Sequence, residues 1–443
     1  MKVYYCTFGC KVNQYETENL RQRLGNMGYE TTADEHDADV FIINTCTVTA
    51  QSDRKMRQTL NRLRKASPDA VTVLTGCFAQ AFSQKAQELG CDIVTGTAKA
   101  DIPKLLEDFL QKRERIVSIT KHERSETFEP MTNLPSGVKT RAFVKIQDGC
   151  DQYCTYCVIP YARGHIRSKP LGDIKTEIQG LAAGGYKEVV LTGINLCCYG
   201  KDFEGSVRLV DAVETACAVS GIERVRLSSM EPEMILDEDI ERMSRLGKLC
   251  PQFHLSLQSG CDRTLRRMNR KYTCDEYETL CKKLRSAFAD CVITTDIMVG
   301  FAGETDEDFA ETAEFVKKIG FEKVHIFPYS VRKGTAAEKL GGHVEKAVKE
   351  QRAKQLEQVC SQIRQEFLRS NIGRTVSVLF EKEKGDGWHR GCTMNYTPVK
   401  VRADGADSWR WQTKNVIITG IDADNCIGEI IKENQVKLID SNQ

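Results

Sequence analysis

No run of apolar residues in the 443-residue sequence approaches the roughly 20 needed to span a bilayer, so no membrane partner is expected. Nor does one sign of charge dominate: 63 Lys and Arg stand against 62 Asp and Glu, a net charge of +1. That balance excludes a protein that gathers nucleic acid through a global positive field, and any RNA contact has to come from local patches. The N-terminal stretch Met1-Lys-Val-Tyr-Tyr-Cys6 lacks the apolar segment and cleavage site of an export signal, which makes the cytoplasm the expected location. Also missing is a second Cys/His pair at zinc-knuckle spacing near the densest cysteine cluster, where His165 is the one close candidate. With 41% apolar and 28% charged residues the composition is that of a globular protein, long enough for about three domains.

Cysteine, in contrast, is abundant. Nineteen of them, an odd number, in a chain without an export signal point to reduced thiols and metal ligation rather than disulfides. The densest stretch is Cys150-Asp-Gln-Tyr-Cys154-Thr-Tyr156-Cys157, directly after the strand-like run Arg141-Ala-Phe-Val-Lys-Ile146. Three thiolates on one loop can surround a single centre, and soft thiolates select zinc, copper(I) or iron-sulfur clusters. A three-residue gap followed by a two-residue gap favours the cluster.

The N-terminal segment alternates strand-like and helix-like patterns. Val3–Tyr5, Val40–Ile43 and Val71–Leu74 are short β-rich runs, and Gln14–Met27 and Arg54–Arg64 carry apolar residues at helical spacing. The alternation predicts a doubly wound parallel sheet. Each strand runs into a cysteine, Cys10, Cys46 or Cys77, on a loop beyond its carboxyl end, where ligand sites form in such sheets. These three form a second candidate triad, whereas Cys6 and Cys91 read as packing residues.

Residues 121–140 are polar and aperiodic, a linker. From there to residue 343 six strand-helix units are expected, with strands Ala142–Ile146, Glu188–Leu191, Arg224–Leu227, Phe253–Leu257, Val292–Met298 and Val324–Phe327. That is an incomplete parallel barrel, whose chemistry gathers at the carboxyl ends of its strands. Residues 344–371 read as one long amphipathic helix. Residues 372–439 read as a small antiparallel β-barrel with strands Thr375–Phe380, Val399–Val401 and Val416–Ile421 and a turn at Gly385-Asp-Gly387. Trp388, His389, Tyr396, Trp409 and Trp411 offer surfaces on which bases can stack, although ten basic and ten acidic residues after Ser370 leave this tail neutral. Two basic runs, Arg54–Lys65 and Arg263–Lys271, are candidates for RNA phosphates.

The Cys-x3-Cys-x2-Cys stretch with Tyr156 before its last cysteine resembles the radical S-adenosylmethionine (SAM) signature. The resemblance implies that Cys150, Cys154 and Cys157 hold a 4Fe-4S cluster whose open iron chelates SAM. It further implies SAM contacts near Tyr156, Gly193, Asn195, Ser229, Gln258 and Gly300, with Thr192-Gly-Ile-Asn195 in place of the superfamily's Gly-Gly-Glu type of motif. Two cysteine triads in this order, followed by a tail similar to the OB-like TRAM module, resemble the radical SAM methylthiotransferase family over nearly the whole chain. Residues Asp148–Gly164, Leu227–Pro232 and His254–Cys261 are most similar to its tRNA threonylcarbamoyladenosine branch. Implied are a residue 1–120 domain with an auxiliary 4Fe-4S cluster on Cys10, Cys46 and Cys77, and insertion and methylation of sulfur at C2 of an adenosine in the anticodon loop of tRNA (position 37). An external electron donor and a sulfur donor are implied too. The alternatives are another tRNA adenosine, a ribosomal-protein aspartate, or a non-catalytic zinc-bearing RNA-binding protein.

Overall fold

The computed structural model describes residues 1–132, 140–381, 386–402 and 408–431. Six parallel strands form the N-terminal sheet: β1 (Lys2–Thr7), β2 (Glu30–Thr31), β3 (Val40–Thr45), β4 (Val71–Gly76), β5 (Ile93–Thr95) and β6 (Ile116–Ser118), in the order β2-β1-β3-β4-β5-β6. β3 and β4 are buried along their whole length, as expected for strands covered on both faces. One face packs Phe41, Ile43 and Leu74 against Met56, Leu60 and Leu63 of the helix Ala50–Ala66. The other packs Val40, Ile42 and Val73 against Leu20 and Leu24 of the helix Lys11–Asn26 and Leu106 of the helix Ile102–Lys112. The doubly wound sheet is therefore present, with β2, β5 and β6 added to the three strands expected.

The polar segment that follows β6 is docked. Phe128 and Met131 are buried, and the Met131 carbonyl accepts from Tyr15 Oη (3.0 Å) and Lys169 Nζ (2.6 Å). Residues 133–139 of the expected linker lie outside the described residues.

The central unit is an open parallel barrel. β7 (Arg141–Lys145) leads into the short antiparallel pair β8 (Gln147–Asp148) and β9 (Arg167–Ser168). It continues with β10 (Glu188–Thr192), β11 (Arg224–Leu227), β12 (Ser229–Met230), β13 (Gln252–Leu255), β14 (Val292–Val299) and β15 (Lys323–Pro328). The main strands order as β7-β10-β11 and β12-β13-β14-β15, joined by a bridge between Val225 and Leu249. Six strand-helix units are present, and no pairing closes β15 onto β7 among the described residues. The helix Lys11–Asn26 packs against β7 beside that gap. Val324 and Ile326 of β15 pack outward on the barrel core, leaving Lys323, His325 and Phe327 exposed on the inner side.

After the helix Lys346–Arg369, strands β16 (Thr375–Phe380), β17 (Trp388–Thr393), β18 (Pro398–Arg402), β19 (Thr413–Asp422) and β20 (Asn425–Ile430) close a barrel in the order β16-β17-β18-β20-β19. The expected antiparallel pattern holds except at β18–β20, which are parallel because β20 returns across the barrel to close it. Four of the five candidate stacking side chains are packed against other residues of the protein. Trp409 lies on His389 at 4.0 Å and on Phe380 at 5.1 Å, and Trp411 stacks on Tyr186 of the central barrel at 6.0 Å. Tyr396 sits between the guanidiniums of Arg141 (4.9 Å) and Arg226 (4.5 Å). Gly385 and residues 432–439 lie outside the described residues. No helix among the described residues is long and apolar enough to cross a membrane.

Candidate active site: two cysteine triads joined by buried charge

β7 ends at the first triad. Gly149, with φ +73°, turns the chain there, and a Cβ at this position would overlap the His165 carbonyl oxygen, so only glycine fits. Backbone bonds Cys150 N to Gly164 O (3.0 Å), Thr155 N to Met268 O (3.0 Å) and Cys157 N to Cys154 O (3.0 Å) then fix the loop. Its three thiols interact electrostatically, and each has a donor: Asn195 Nδ2 on Cys150 at 3.8 Å, Arg270 Nη1 on Cys154 at 3.3 Å, and Ile159 N on Cys157 at 3.4 Å. Burial, set first against these donors, still pushes the Cys157 thiol up to about 12. Filling the site must therefore displace protons.

The second triad follows β1, β3 and β4. Gly9 (φ +99°) and Gly76 (φ +100°) precede Cys10 and Cys77; a Cβ on Gly9 would come within 2.6 Å of Cys46 Cβ, and one on Gly76 within 2.5 Å of Asn44 Oδ1. Cys10 is exposed while Cys46 and Cys77 are buried, and the three thiols again interact electrostatically. Burial pushes Cys46 up to about 11.

Neither triad draws its three sulfurs within 4.8 Å of one another; among the described residues only His254, Asp296 and His325 make so tight a group. A single zinc, with Zn–S bonds of about 2.3 Å, would hold tetrahedral sulfurs about 3.8 Å apart, so the wider triads suit a multi-iron cluster. Beside the first triad, the buried Asn195 Oδ1 has no hydrogen-bond partner, an acceptor fitted to a ligand ammonium such as that of SAM.

The two triads are locked together by buried charge. Arg163, fully buried at the end of the helix Ile159–Arg163, donates from Nε to Cys77 Sγ (3.3 Å) and from Nη2 to Glu16 Oε2 (3.1 Å) and Asn13 Oδ1 (2.5 Å). Glu16 also meets Lys145 (2.8 Å) and Lys99 (3.2 Å), and Asp148 meets Arg163 (3.3 Å). Burial would raise both carboxyls, but Arg163 and Lys145 overcome it and hold them well below the usual range. On the far side, Arg332 after β15 reaches Thr47 Oγ1 (2.6 Å) and Asp53 Oδ2 (2.8 Å) beside Cys46.

Residues 144–316 match the Radical SAM superfamily, and residues 2–96 match "Uncharacterized protein family UPF0004". A Bacillus subtilis protein named threonylcarbamoyladenosine tRNA methylthiotransferase MtaB is 37% identical over 90% of this chain and 89% of its own. The Aquifex aeolicus protein of that name is 39% identical over 90% and 96%. The chain belongs to the radical SAM methylthiotransferase family. Its cofactors are SAM and two 4Fe-4S clusters. A Caldicellulosiruptor saccharolyticus tRNA-2-methylthio-N(6)-dimethylallyladenosine synthase is 35% identical over 97% of the chain and 93% of its own. The solved structure of the radical SAM methyltransferase TsrM from Kitasatospora setae covers 74% of each chain with a TM-score of 0.55 at 14% identity, a likeness of fold alone.

Of the other residues singled out in the sequence, Tyr156 packs edge-on against Phe301 (6.3 Å) under the first triad. Gly193 lies against Gln147, whose Oε1 accepts from Ile194 N (2.9 Å) and Asn195 N (2.8 Å) and so ties the loop after β10 to the triad loop. Ser229 faces the lumen, and Gln258, at φ +69°, is held to β14 through Asp296 O (2.8 Å). Gly300 (φ +70°) backs onto Lys349 of the long helix. Sequence reasoning passed over Gln147 and Glu16, and it placed Arg270 among the candidates for RNA phosphates. The basic run Arg263–Lys271 is divided: Arg263 pairs with Asp308, Arg267 binds the Ala302 carbonyl (2.8 Å), and Arg270 turns inward to Glu231 and Cys154. Arg266 stays exposed. Cys197 and Cys198, adjacent in sequence, are buried packing residues, the latter against Met234 Sδ (3.5 Å).

Proposed function

We propose that the protein methylthiolates C2 of N6-threonylcarbamoyladenosine at position 37 of tRNA, in the anticodon loop, acting in the cytoplasm with an external electron donor and a sulfur donor. The observation that carries this reading is the pair of wide cysteine triads held in one body by Arg163 and Arg332. The names of the relatives supply the base.

Cys150, Cys154 and Cys157 would hold the cluster that binds SAM, and Cys10, Cys46 and Cys77 the auxiliary one. Tyr156, Gly193, Asn195, Ser229, Gln258 and Gly300 would surround SAM. When bound, these groups supply the electron and radical that open an unactivated C–H bond, and the sulfur and methyl that replace the hydrogen. The chain itself positions and shields. Asn195 offers its free Oδ1 to the SAM ammonium, and Arg270 stabilises the Cys154 thiolate. The donor from Arg163 to Cys77 stabilises that thiolate and fixes the separation of the two loops. Single-stranded loops are where RNA bases can be splayed into such a lumen.

Cys10→Ala is expected to cleave SAM yet give no thiolated product on a threonylcarbamoyladenosine anticodon stem-loop, whereas Cys154→Ala loses both. Chromatography of 5′-deoxyadenosine and mass spectrometry of the digested RNA read the two steps. Fully thiolated product from the Cys10 variant contradicts the two-cluster assignment.

A further inference from the structure

The lumen has a cavity of about 990 Å3, lined by Lys11, Arg141, Arg226, His254, Asp296 and Lys323 among others. That is at the upper end of the range for pockets that take small molecules. Most of its charges are matched within the protein. Arg141 pairs with Glu381, Arg226 with Glu188 at 3.0 Å, and Arg364 with Glu322. His254 is fixed between Thr294 Oγ1 (2.9 Å) and Asp296 Oδ2 (3.2 Å).

Three groups are left over. Lys323 and His325 project inward from β15, next to Thr294 and Asp296 in register, and Lys11 faces them from the start of the helix that lies beside the gap. No side-chain hydrogen bond or ion pair of Lys11, Lys323 or His325 is found among the described residues, although a ring nitrogen of His325 lies within 4.8 Å of ligand atoms of His254 and Asp296. They nevertheless lie close enough to act on one another: burial first, then His254, Lys323 and Lys11, against the opposite pull of Asp296, hold His325 below its ordinary range. His325 is thus held toward its neutral form, which donates one hydrogen bond and accepts one, beside the amino groups of Lys323 and Lys11. The triads lie beyond the carboxyl ends of the strands, whereas Lys323 begins β15 and Arg141 begins β7; His325, paired with Asp296, lies in the layer of Ser229 and Gln258.

We infer that Lys323 and His325, with Lys11 opposite, form an anion subsite that takes the threonyl carboxylate and adjoining amide of the modified base. The inference rests on the substrate reading above and names the residues that enforce it. A carboxylate at the end of a substituent can reach Lys323 and His325 by itself, whereas a backbone phosphate brings the chain on both sides with it. An apolar dimethylallyl group would leave both ammonium groups desolvated and unpaired.

The test uses the reconstituted holoenzyme and three anticodon stem-loops carrying N6-threonylcarbamoyladenosine, its methyl ester or plain adenosine, with binding read by fluorescence anisotropy. The wild type is expected to bind the acid at least about tenfold more tightly than the ester, the scale of one charge-assisted hydrogen bond. In Lys323→Met and in His325→Phe that ratio falls toward one. The ratio compares ligands on one protein, so partial misfolding cancels, and cluster absorbance reports the folded fraction. Lys11 is left intact because it adjoins Cys10. An unchanged ratio in both variants overturns the subsite, and so does equal weakening for all three RNAs, which would assign the lysine to a backbone phosphate. A wild type that binds acid and ester alike, yet thiolates the acid, overturns the subsite alone. A wild type that neither prefers nor thiolates the threonylcarbamoyl loop overturns the substrate reading with it.

Discussion

Gly9, Gly76 and Gly149 each stand immediately before a cysteine of a triad, and all three have positive φ. The Gly-Cys pairs are visible in the sequence, but their cause is not: it lies in backbone and side chains from other strands that come too close for a Cβ. At Gly149 the obstacle is a carbonyl oxygen, which cannot swing aside as a side chain can. Gly149→Ala adds to that overlap a left-handed strain of about 1–2 kcal/mol. The first triad is expected to lose its cluster and the second to keep its own, so that reconstituted protein carries about four irons instead of about eight. Iron analysis with electron paramagnetic resonance checks this; a full complement of iron would show that the loop can move. Arg163 and Arg270 teach the same lesson from the opposite side. As letters they are surface cations, and only partners far along the chain, Glu16 at 147 residues and Glu231 at 39, make them interior groups.

Among the elements, the strands leading to the triads were legible because short apolar runs rich in β-branched and aromatic residues stand out between helical patterns. Those missed are short and flanked by polar residues, or are broken by glycine. β5 and β6 have three residues each, and β17 and β20 are interrupted by Gly391 and Gly428. These glycines serve closure, since a Cβ would overlap Leu379 O at Gly391 and Val416 Cγ1 at Gly428. The helix Lys11–Asn26 was legible from Leu20 and Leu24, but its buried polar face was not, because Glu16 is stable there only opposite Arg163, Lys145 and Lys99. Glu16→Gln removes one charge from that group and leaves three cations undercompensated, at a cost of about 3–5 kcal/mol near pH 7. The folded-state pKa of Glu16 is depressed, so its contribution is fully present above the unfolded value near 4 and is lost as pH falls below it. Denaturant unfolding of wild type and variant should therefore differ by a constant amount from pH 8 to about 5 and converge in stronger acid. A difference that instead vanishes toward alkaline pH would remove Glu16 from this role.

At the scale of the whole molecule, three units enclose one space. The N-terminal sheet brings its cysteines to the end of the central barrel where β7 delivers the first triad, and the C-terminal barrel seals the opposite end through Arg224 (2.8 Å to Cys392 O) and Arg226 (3.0 Å to Met394 O). Fold class and the order of the triads could be read from local pattern, but the lumen between the units could not, since its wall draws on residues from Lys11 to Pro398. The packing of the tail aromatics was illegible for a related reason. A tryptophan's letter does not tell a stacking platform from a wedge between barrels, and Trp411 on Tyr186 is a wedge. Everything in this arrangement converges on one modified nucleoside, so the most direct measurement is mass spectrometry of nucleosides from digested tRNA of a host lacking this gene, with and without the gene restored. The account predicts loss of 2-methylthio-N6-threonylcarbamoyladenosine with accumulation of its unthiolated precursor, reversed by the intact gene and not by Cys10→Ala. An unchanged level of that nucleoside in the deleted host would contradict it.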